Sequence, residues 1–291
     1  MTTSPLLAEW SDLLKRRPTF RDALRGYVEI LNAWGRWPDD QVSPLAWDAA
    51  ACRERWARGV PLLAETVPAI GPDALEDLLI PAMELIGMIG REEAALQRFA
   101  QAWDRGEVAP AALLPGRGSL GSPSVRDRIG LSAAAFGFLS CAGLRPALER
   151  YFAECRAHLA DGVWSLGVCP YCGAPPGFTD ILENGGRRLV CHLCASGWMF
   201  PRLQCPFCGT TDAQQFVKFQ AEDKEEGYLI SACKACHAYL KELDRRVRWN
   251  GASALVEDWG SPHLDVLAHR AGYWRAIPTL IELEQATRAD S

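Results

Sequence analysis

The stretch RRLVCHLCASGWMFPRLQCPFCG, residues 187–209, contains two Cys-x-x-Cys pairs that are separated by 10 residues. A third pair lies 18 residues before them and a fourth lies 24 residues after them. One such pair arises by chance or as a redox motif, whereas four pairs within 68 residues are typical of metal ligands. The eight candidate ligands are Cys169, Cys172, Cys191, Cys194, Cys205, Cys208, Cys233 and Cys236.

The turns that follow the pairs favour one way of combining them. In CPYCG, residues 169–173, and CPFCG, residues 205–209, a proline fixes one backbone angle and the final glycine permits a positive φ. The pairs CHLC and CKAC are followed by Ala195 and His237 instead. Combining neighbours gives each site one turn with glycine and one without. We therefore predict that the first pair joins the second and the third joins the fourth, rather than a cross-braced arrangement.

Two Cys₄ sites suit Zn²⁺ or mononuclear iron of the rubredoxin type, and thiolate ligands alone do not choose between them. Iron–sulfur clusters usually use tighter, asymmetric cysteine runs, and a thioredoxin-like protein needs a single activated pair. The segment CKACH, residues 233–237, also matches the attachment motif of c-type haem. We disfavour haem because it would leave the pair at Cys205 and Cys208 without partners.

Hydrophobic spacing divides the chain into an α part and a small β part. Residues 1–165 contain amphipathic segments such as TFRDALRGYVEILNAW, so we predict an all-helical domain in which Pro81 kinks or divides one helix. Short extended runs separated by the cysteine turns are predicted at 187–190, 198–200, 215–219, 228–230 and 238–243. They predict a first rubredoxin-like or zinc-ribbon metal module over 166–202 and a second over 203–246, each with a small core. We expect that metal holds these small modules together. Residues 247–291 are predicted to form a C-terminal helical segment.

The amino terminus lacks the basic start and apolar core of an export signal. The most apolar segment, residues 129–144, is shorter than a membrane span and rich in small residues, so we predict a buried helix without membrane insertion. We therefore expect a cytoplasmic protein, in which most of the 11 cysteines are not in disulfides. Cys52, Cys141 and Cys155 are predicted to be small core residues.

Charge argues against nucleic acid as a partner. Residues 166–246 contain nine Lys or Arg and nine Asp or Glu, whereas nucleic-acid binding normally requires a basic face. Two divalent Cys₄ sites would also lower the formal charge of the chain from −5 to −9. The acidic run formed by Glu222, Asp223, Glu225 and Glu226 is predicted to be a solvated loop.

The order CPYCGAPP, RRLVCHLCASGWMFPRLQCPFCG, ACKACHAYLKELD, VEDW and AGYWRAIP resembles the FdhE family of formate dehydrogenase accessory proteins. The resemblance is specific over about residues 165–278 and looser before them. It implies a non-catalytic cytoplasmic factor with two rubredoxin-like modules that binds the catalytic subunit of respiratory formate dehydrogenase before export. It also implies iron at the eight cysteines, with zinc as the alternative. The resemblance gives no partner-binding residues, and the sequence leaves the oligomeric state open.

Overall fold

The computed structural model describes residues 4–89, 92–221 and 225–289, with side chains as far as residue 284. The first part of the chain is helical and the middle part forms strands. The helices before the strands are α1 Pro5–Arg16, α2 Gly26–Arg36, α3 Ala49–Ala57, α4 Pro72–Ile89, α5 Glu93–Asp104, α6 Pro123–Ile129 and α7 Ala133–Tyr151. The strands are β1 Phe178–Ile181, β2 Arg187–Val190, β3 Gly197–Met199, β4 Phe216–Phe219, β5 Tyr228–Cys233 and β6 Tyr239–Asp244, and they are followed by α8 Ala254–Trp259, α9 Pro262–Arg270 and α10 Leu280–Ala289.

The predicted helical domain and C-terminal helical segment are both present, with differences at the helix ends. Helix α2 begins at Gly26, because residues 18–25 form a short 3₁₀ helix and turns. Helix α4 continues through Pro81 without a break. Helix α7 ends at Tyr151, and a 3₁₀ segment follows it at 154–158.

Helix α7 forms the centre of the helical part and is buried along most of its length. It begins where the Ser132 side chain accepts a hydrogen bond from the Ala135 amide at 3.0 Å, a helix cap favoured by serine. A Cβ atom at Gly143 would lie 2.8 Å from a methyl group of Leu79, so glycine lets α4 approach α7 closely. The prediction of a buried helix over 129–144 is confirmed from Ala133 onwards, whereas residues 129–132 contain the end of α6 and the bend before α7.

No single helix of the described residues combines the length and apolar character needed to cross a membrane. Helices α6 and α7 reach that combination only when they are taken together, and they are bent by 117° at their break.

The six strands form one sheet in the order β3-β2-β1-β6-β5-β4. The first cysteine pair precedes β1 and the second lies between β2 and β3. The third pair precedes β4, and the fourth begins at the end of β5, before β6. Within each half the strands are antiparallel, whereas β1 and β6 are parallel, with Thr179 paired to Glu242 and Ile181 to Asp244. The two ribbon-like modules are therefore joined through their backbones into a continuous sheet.

Strand β1 is the strand that the sequence analysis missed. Its segment FTDI is short and carries an acid, so it lacks the alternating pattern of a half-buried strand. All four residues are buried, and the Asp180 carboxylate accepts hydrogen bonds from Arg188 at 2.6 Å and Arg245 at 2.7 Å. These two charge-assisted bonds offset the cost of burying the acid in the middle of the sheet.

The hydrophobic core extends from the helices into the first module. It contains residues of the helical part together with all four cysteines of the first two pairs and Trp198 of β3. A second buried cluster lies at the other half of the sheet and includes Tyr239 and Ile230 of the strands together with Leu264 and Ala268 of α9. The first module is thus buried against the helical domain, whereas we had expected small separate cores.

Candidate metal centres

The structure brings the eight cysteines together in two groups of four. Within each group the sulfur atoms lie within 4.8 Å of one another, and the groups follow the sequential pairing predicted from the turns. All 11 cysteines are free thiols. The first centre consists of Cys169, Cys172, Cys191 and Cys194, and the second centre consists of Cys205, Cys208, Cys233 and Cys236.

The sulfur separations fit a tetrahedral metal site. In the first centre, Cys169 lies 3.5 Å from Cys194, and Cys172 lies 3.5 Å from Cys191. The corresponding distances in the second centre are 3.7 and 3.8 Å. A tetrahedron with metal–sulfur bonds of about 2.3 Å has sulfur edges of about 3.8 Å. Both groups therefore match the size of a mononuclear Cys₄ site, and this geometry is shared by zinc and iron.

Each Cys-x-x-Cys pair lies in a tight turn, which we call a knuckle, and the four knuckles have the same backbone pattern. The amide of the first cysteine donates to the carbonyl five residues later, at 2.9 Å in every case. The residue after the second cysteine has a positive φ in every knuckle. This conformation folds the chain back so that both thiols face the same point.

Ala195 and His237 adopt the left-handed conformation without being glycine. Their φ values are 58° and 57°, and they are the only non-glycine residues with positive φ in the described part of the chain. Their counterparts Gly173 and Gly209 have φ values of 79° and 77°. Since this region is unfavourable for residues with a Cβ atom, the knuckle imposes its geometry on these two positions.

The two centres differ in exposure. All four cysteines of the first centre are buried, whereas Cys208 is exposed and Cys236 is partly exposed in the second. The first centre is also bonded to the helical domain, because Trp56 Nε1 donates to the Pro170 carbonyl at 3.0 Å and the Leu63 amide donates to the Tyr171 carbonyl at 2.8 Å.

The second centre is held by the segment after α9. Trp274 Nε1 donates to the Cys236 carbonyl at 2.8 Å, and its ring lies 5.8 Å from that of Phe207, inside the third knuckle. The Trp274 amide donates to the His237 carbonyl at 2.8 Å. Because the indole of Trp274 is 46% exposed, one side of this centre faces solvent across an aromatic rim.

The remaining cysteines are core residues, as predicted. Cys52 and Cys155 are fully buried and Cys141 is 7% exposed. Burial raises the pKa of the Cys52 thiol to about 12 and raises the pKa of Cys141 and of Cys155 as well. All three are therefore protonated near neutral pH and poor nucleophiles.

A buried ionic network links the first centre to the C-terminal helices, and sequence reasoning did not find it. The carboxylate of Asp258, in α8, accepts hydrogen bonds from both Nη atoms of Arg275, each at 3.0 Å, and lies 3.0 Å from Lys241 Nζ. His192, in the second knuckle, places Nε2 2.9 Å from the same carboxylate. Burial raises the pKa of Asp258, but Arg275 and Lys241 outweigh burial and hold it well below its usual range. Because the Asp258 carboxylate is ionised, it accepts the hydrogen bond from His192, and the proton lies on His192 Nε2.

The ionic network continues beyond Asp258. Asp265 accepts from Lys241 at 2.7 Å and from Arg275 at 2.8 Å. The hydroxyl of Tyr239 donates to Asp265 at 2.8 Å. The only sequence signal for this network is a set of charged residues in apolar surroundings, such as Lys241 in the strand YLKELD.

One residue of the acidic run at 222–226 is in contact with the rest of the fold. Glu222 and Asp223 lie outside the described residues. Glu225 accepts a hydrogen bond from Arg17 at 2.7 Å, and its carboxylate lies 3.4 Å from His263. At Glu225 the prediction of a solvated loop is therefore wrong, because a buried arginine of the helical domain binds the carboxylate.

No protein-family model matches the chain. A protein called FdhE homolog from Stutzerimonas stutzeri is 38% identical over 118 residues, which is 39% of this chain and 38% of that protein. The homolog from Pseudomonas aeruginosa is 28% identical over 253 residues, covering 82% of this chain and 71% of that protein. The homolog from Aquifex aeolicus is 30% identical over 116 residues, or 40% of its length. Two of these three matches thus span less than half of the relative.

The fold matches a solved structure over almost its whole length. The crystal structure of the FdhE protein from Pseudomonas aeruginosa superimposes with a TM-score of 0.60, covers 96% of this chain and 95% of that one, and is 22% identical in sequence. The chain is therefore similar in sequence to proteins called FdhE homolog and shares the fold of the FdhE crystal structure. The resemblance predicted from its cysteine motifs is confirmed.

Proposed function

We propose that this chain is a non-catalytic accessory factor for respiratory formate dehydrogenase, acting in the cytoplasm on the catalytic subunit before export. The observation that carries the proposal is the pair of tetrahedral four-thiol centres in a chain whose sequence and fold match FdhE proteins. A thiol oxidoreductase needs a free Cys-x-x-Cys pair, whereas here each pair lies against a second pair. This arrangement supports metal binding over thiol chemistry.

We propose that each centre holds one iron ion through its four thiolates, with zinc as the alternative. A bound metal would supply a rigid crosslink, and iron would add a one-electron change of charge at each centre. The chain's own contribution is to hold the four sulfurs at tetrahedral spacing through the knuckle hydrogen bonds. These rigid modules, packed on the helical domain, would form the surface that binds the enzyme subunit.

Affinity capture from cells grown with formate tests the partner assignment. The tagged chain is expected to recover the catalytic subunit of formate dehydrogenase. A matched variant, Cys191→Ser, should recover less because the first centre lies in the shared core. Capture of no formate dehydrogenase subunit by the unaltered protein would overturn the proposal.

A redox-sensing role is a finer form of this proposal. If iron changes charge at the partially exposed second centre, partner affinity should differ between oxidised and reduced protein. Binding measured without oxygen in both states tests this idea, and equal affinities would remove it.

One observation favours a second candidate, a rubredoxin-like electron carrier. Cys208 is exposed, so a metal at the second centre would have a short path to solvent. An anaerobic redox titration distinguishes the candidates, because a carrier must cycle reversibly and exchange electrons with a soluble acceptor. Failure to cycle excludes the carrier while leaving the accessory role intact.

A further inference from the structure

We propose that a cavity of about 210 Å³ beside the first centre is a binding site for a small oxyanion, with the chemistry of inorganic phosphate. Three arginines line it, and they come from different segments: Arg145 from α7, Arg188 from β2 and Arg245 from the turn after β6. His192 of the second knuckle and Ser253, just before α8, complete its polar wall. The residues described as lining it include no acid.

Buried polar atoms without partners concentrate at this cavity. In the described part of the chain, nine buried side-chain nitrogen or oxygen atoms lack a hydrogen-bond partner. Four of them belong to residues that line the cavity, namely Arg145 Nε, Arg188 Nε, His192 Nδ1 and Ser253 Oγ. Leaving such an atom unsatisfied lowers the stability of the fold, and the cost is larger for a charged group. The Arg145, Arg188 and Ser253 atoms can donate to an anion, whereas His192 Nδ1 is the unprotonated ring nitrogen and accepts. Together they suit a polar occupant with several acceptor oxygens and one hydroxyl, as in hydrogen phosphate.

The charge around the cavity determines the sign of that occupant. Asp180 is shared between Arg188 and Arg245 and offsets one of the three positive charges. Arg145 Nε lies 3.8 Å from Glu149, whose side chain is 44% exposed, so solvent screens that pair. The Glu9 carboxylate, which accepts from the Ser253 amide at 2.8 Å, offsets a second positive charge. One positive charge remains, and arginine N–H groups are well suited to the oxygens of an anion.

The cavity is large enough and accessible. Its volume exceeds the roughly 150 Å³ that holds a benzene molecule in an engineered protein cavity. The Arg188 side chain is 43% exposed, and Arg188, Arg245 and Ser253 also line an adjoining groove beside the exposed Trp249. An anion can therefore reach the cavity from the groove, whose lining contains Arg188 and Arg245 as well as the acids Glu9 and Glu183.

Occupation would bridge the helical domain and the sheet, since the arginines belong to α7, β2 and the end of β6. A ligand that binds only the folded state raises stability by mass action. Anion binding at this cavity is therefore expected to stabilise the junction between the helices and the first module.

Calorimetric titration of the full-length, metal-loaded protein with inorganic phosphate, against chloride at equal ionic strength and pH, tests the proposal. We expect one saturable site. Arg188→Gln should weaken phosphate binding by about tenfold or more, because it removes a hydrogen bond from a charged group. The matched control is Arg246→Gln, whose 47% exposed side chain pairs with Asp244 outside the cavity. This control should bind phosphate as the unaltered protein does.

Ser253→Ala provides a second test that keeps every charge, and it covers the case in which Arg188→Gln does not fold. The Ser253 hydroxyl makes no helix-capping bond, so its loss should leave folding intact while weakening phosphate binding several-fold. Two results would overturn the proposal. Absence of saturable heat would mean that water alone fills the cavity, and equal weakening in Arg188→Gln and Arg246→Gln would mean non-specific attraction.

Discussion

His192 Nε2 lies 2.9 Å from Asp258 Oδ2, and this contact joins a knuckle of the first centre to helix α8. Because Asp258 is fully buried and also binds Arg275 and Lys241, it holds together three segments that are far apart in sequence. Asp258→Asn would remove the charge of one of the two buried carboxylates, Asp258 and Asp265, that Arg275 and Lys241 share.

We expect Asp258→Asn to lower the free energy of unfolding by about 3–5 kcal/mol, the range for breaking a buried ion pair from one side. Urea denaturation of the metal-loaded protein measures the change. Asp39→Asn is the control, since Asp39 is exposed and should change stability by less than about 0.5 kcal/mol. Equal losses in both variants would show that the buried network does not stabilise the fold.

Glycine at the two knuckles that lack it should stabilise the protein. Ala195→Gly and His237→Gly would each remove the strain of a non-glycine residue in the left-handed conformation, one in each centre. The expected gain in the free energy of unfolding is about 1 kcal/mol per site. The reverse substitution, Gly209→Ala, should cost a similar amount, because its Cβ would meet open space and only the φ of 77° would be strained. Thermal unfolding at constant metal content measures all three, and a loss of stability in both glycine variants would contradict the argument.

The two centres should release metal at different rates. Because Cys208 is exposed whereas the first centre is entirely buried, a chelator is expected to remove one metal per chain quickly and the other slowly. Metal analysis during chelation measures both phases. Cys208→Ser should abolish the fast phase and Cys191→Ser the slow phase, and one uniform phase from the unaltered protein would contradict the prediction.

The amino end of α10 makes stability depend on pH. Burial raises the pKa of Glu282, but a hydrogen bond from His269 at 2.8 Å, the charge of Arg275 and bonds from Thr279 lower it to about 2. A depressed carboxyl pKa gives stability that is present above the unfolded value, about 4.3, and is lost as pH falls towards 2. A pKa shift of this size corresponds to about 3 kcal/mol in the free energy of unfolding.

We therefore expect Glu282→Gln to reduce stability at pH 7 and to flatten the fall in stability between about pH 4.5 and 2. Denaturation midpoints across that pH range test this expectation. Glu84→Gln, at an exposed position of α4, is the surface control, and its pH profile should follow that of the unaltered protein. An unchanged slope in Glu282→Gln would show that another group carries the acid sensitivity.

The cysteine spacing predicted much of the candidate site. The grouping of the eight thiols follows from the four knuckles, and β2 begins and ends at the predicted residues, because these features depend on local sequence. Strand β1 could not be found in the same way, since it is defined by its pairing with β6 rather than by its own pattern. The identity of the metal also lies beyond both sequence and geometry, because zinc and iron share the tetrahedral thiolate site.

The buried charges could not be predicted for a related reason. From the sequence, Lys241 is expected to point from its strand into solvent. It is fully buried instead, because α8 and α9 cover that face of the strand and supply Asp258 and Asp265. Likewise, Arg145, Arg188 and Arg245 are spread over a hundred residues of sequence and meet only in the folded chain. Long-range packing forms such sites, and no local sequence motif indicates them.

The parallel pairing of β1 with β6 has a consequence for synthesis on the ribosome. Strand β1 emerges with β2 and β3, but its second edge has no partner until β6 has been translated. During that interval the nascent chain exposes an unpaired strand edge, which is the kind of surface that pairs wrongly with other chains. Closure of the sheet is therefore a late event, and the first centre has the opportunity to acquire its metal before the second half of the sheet exists.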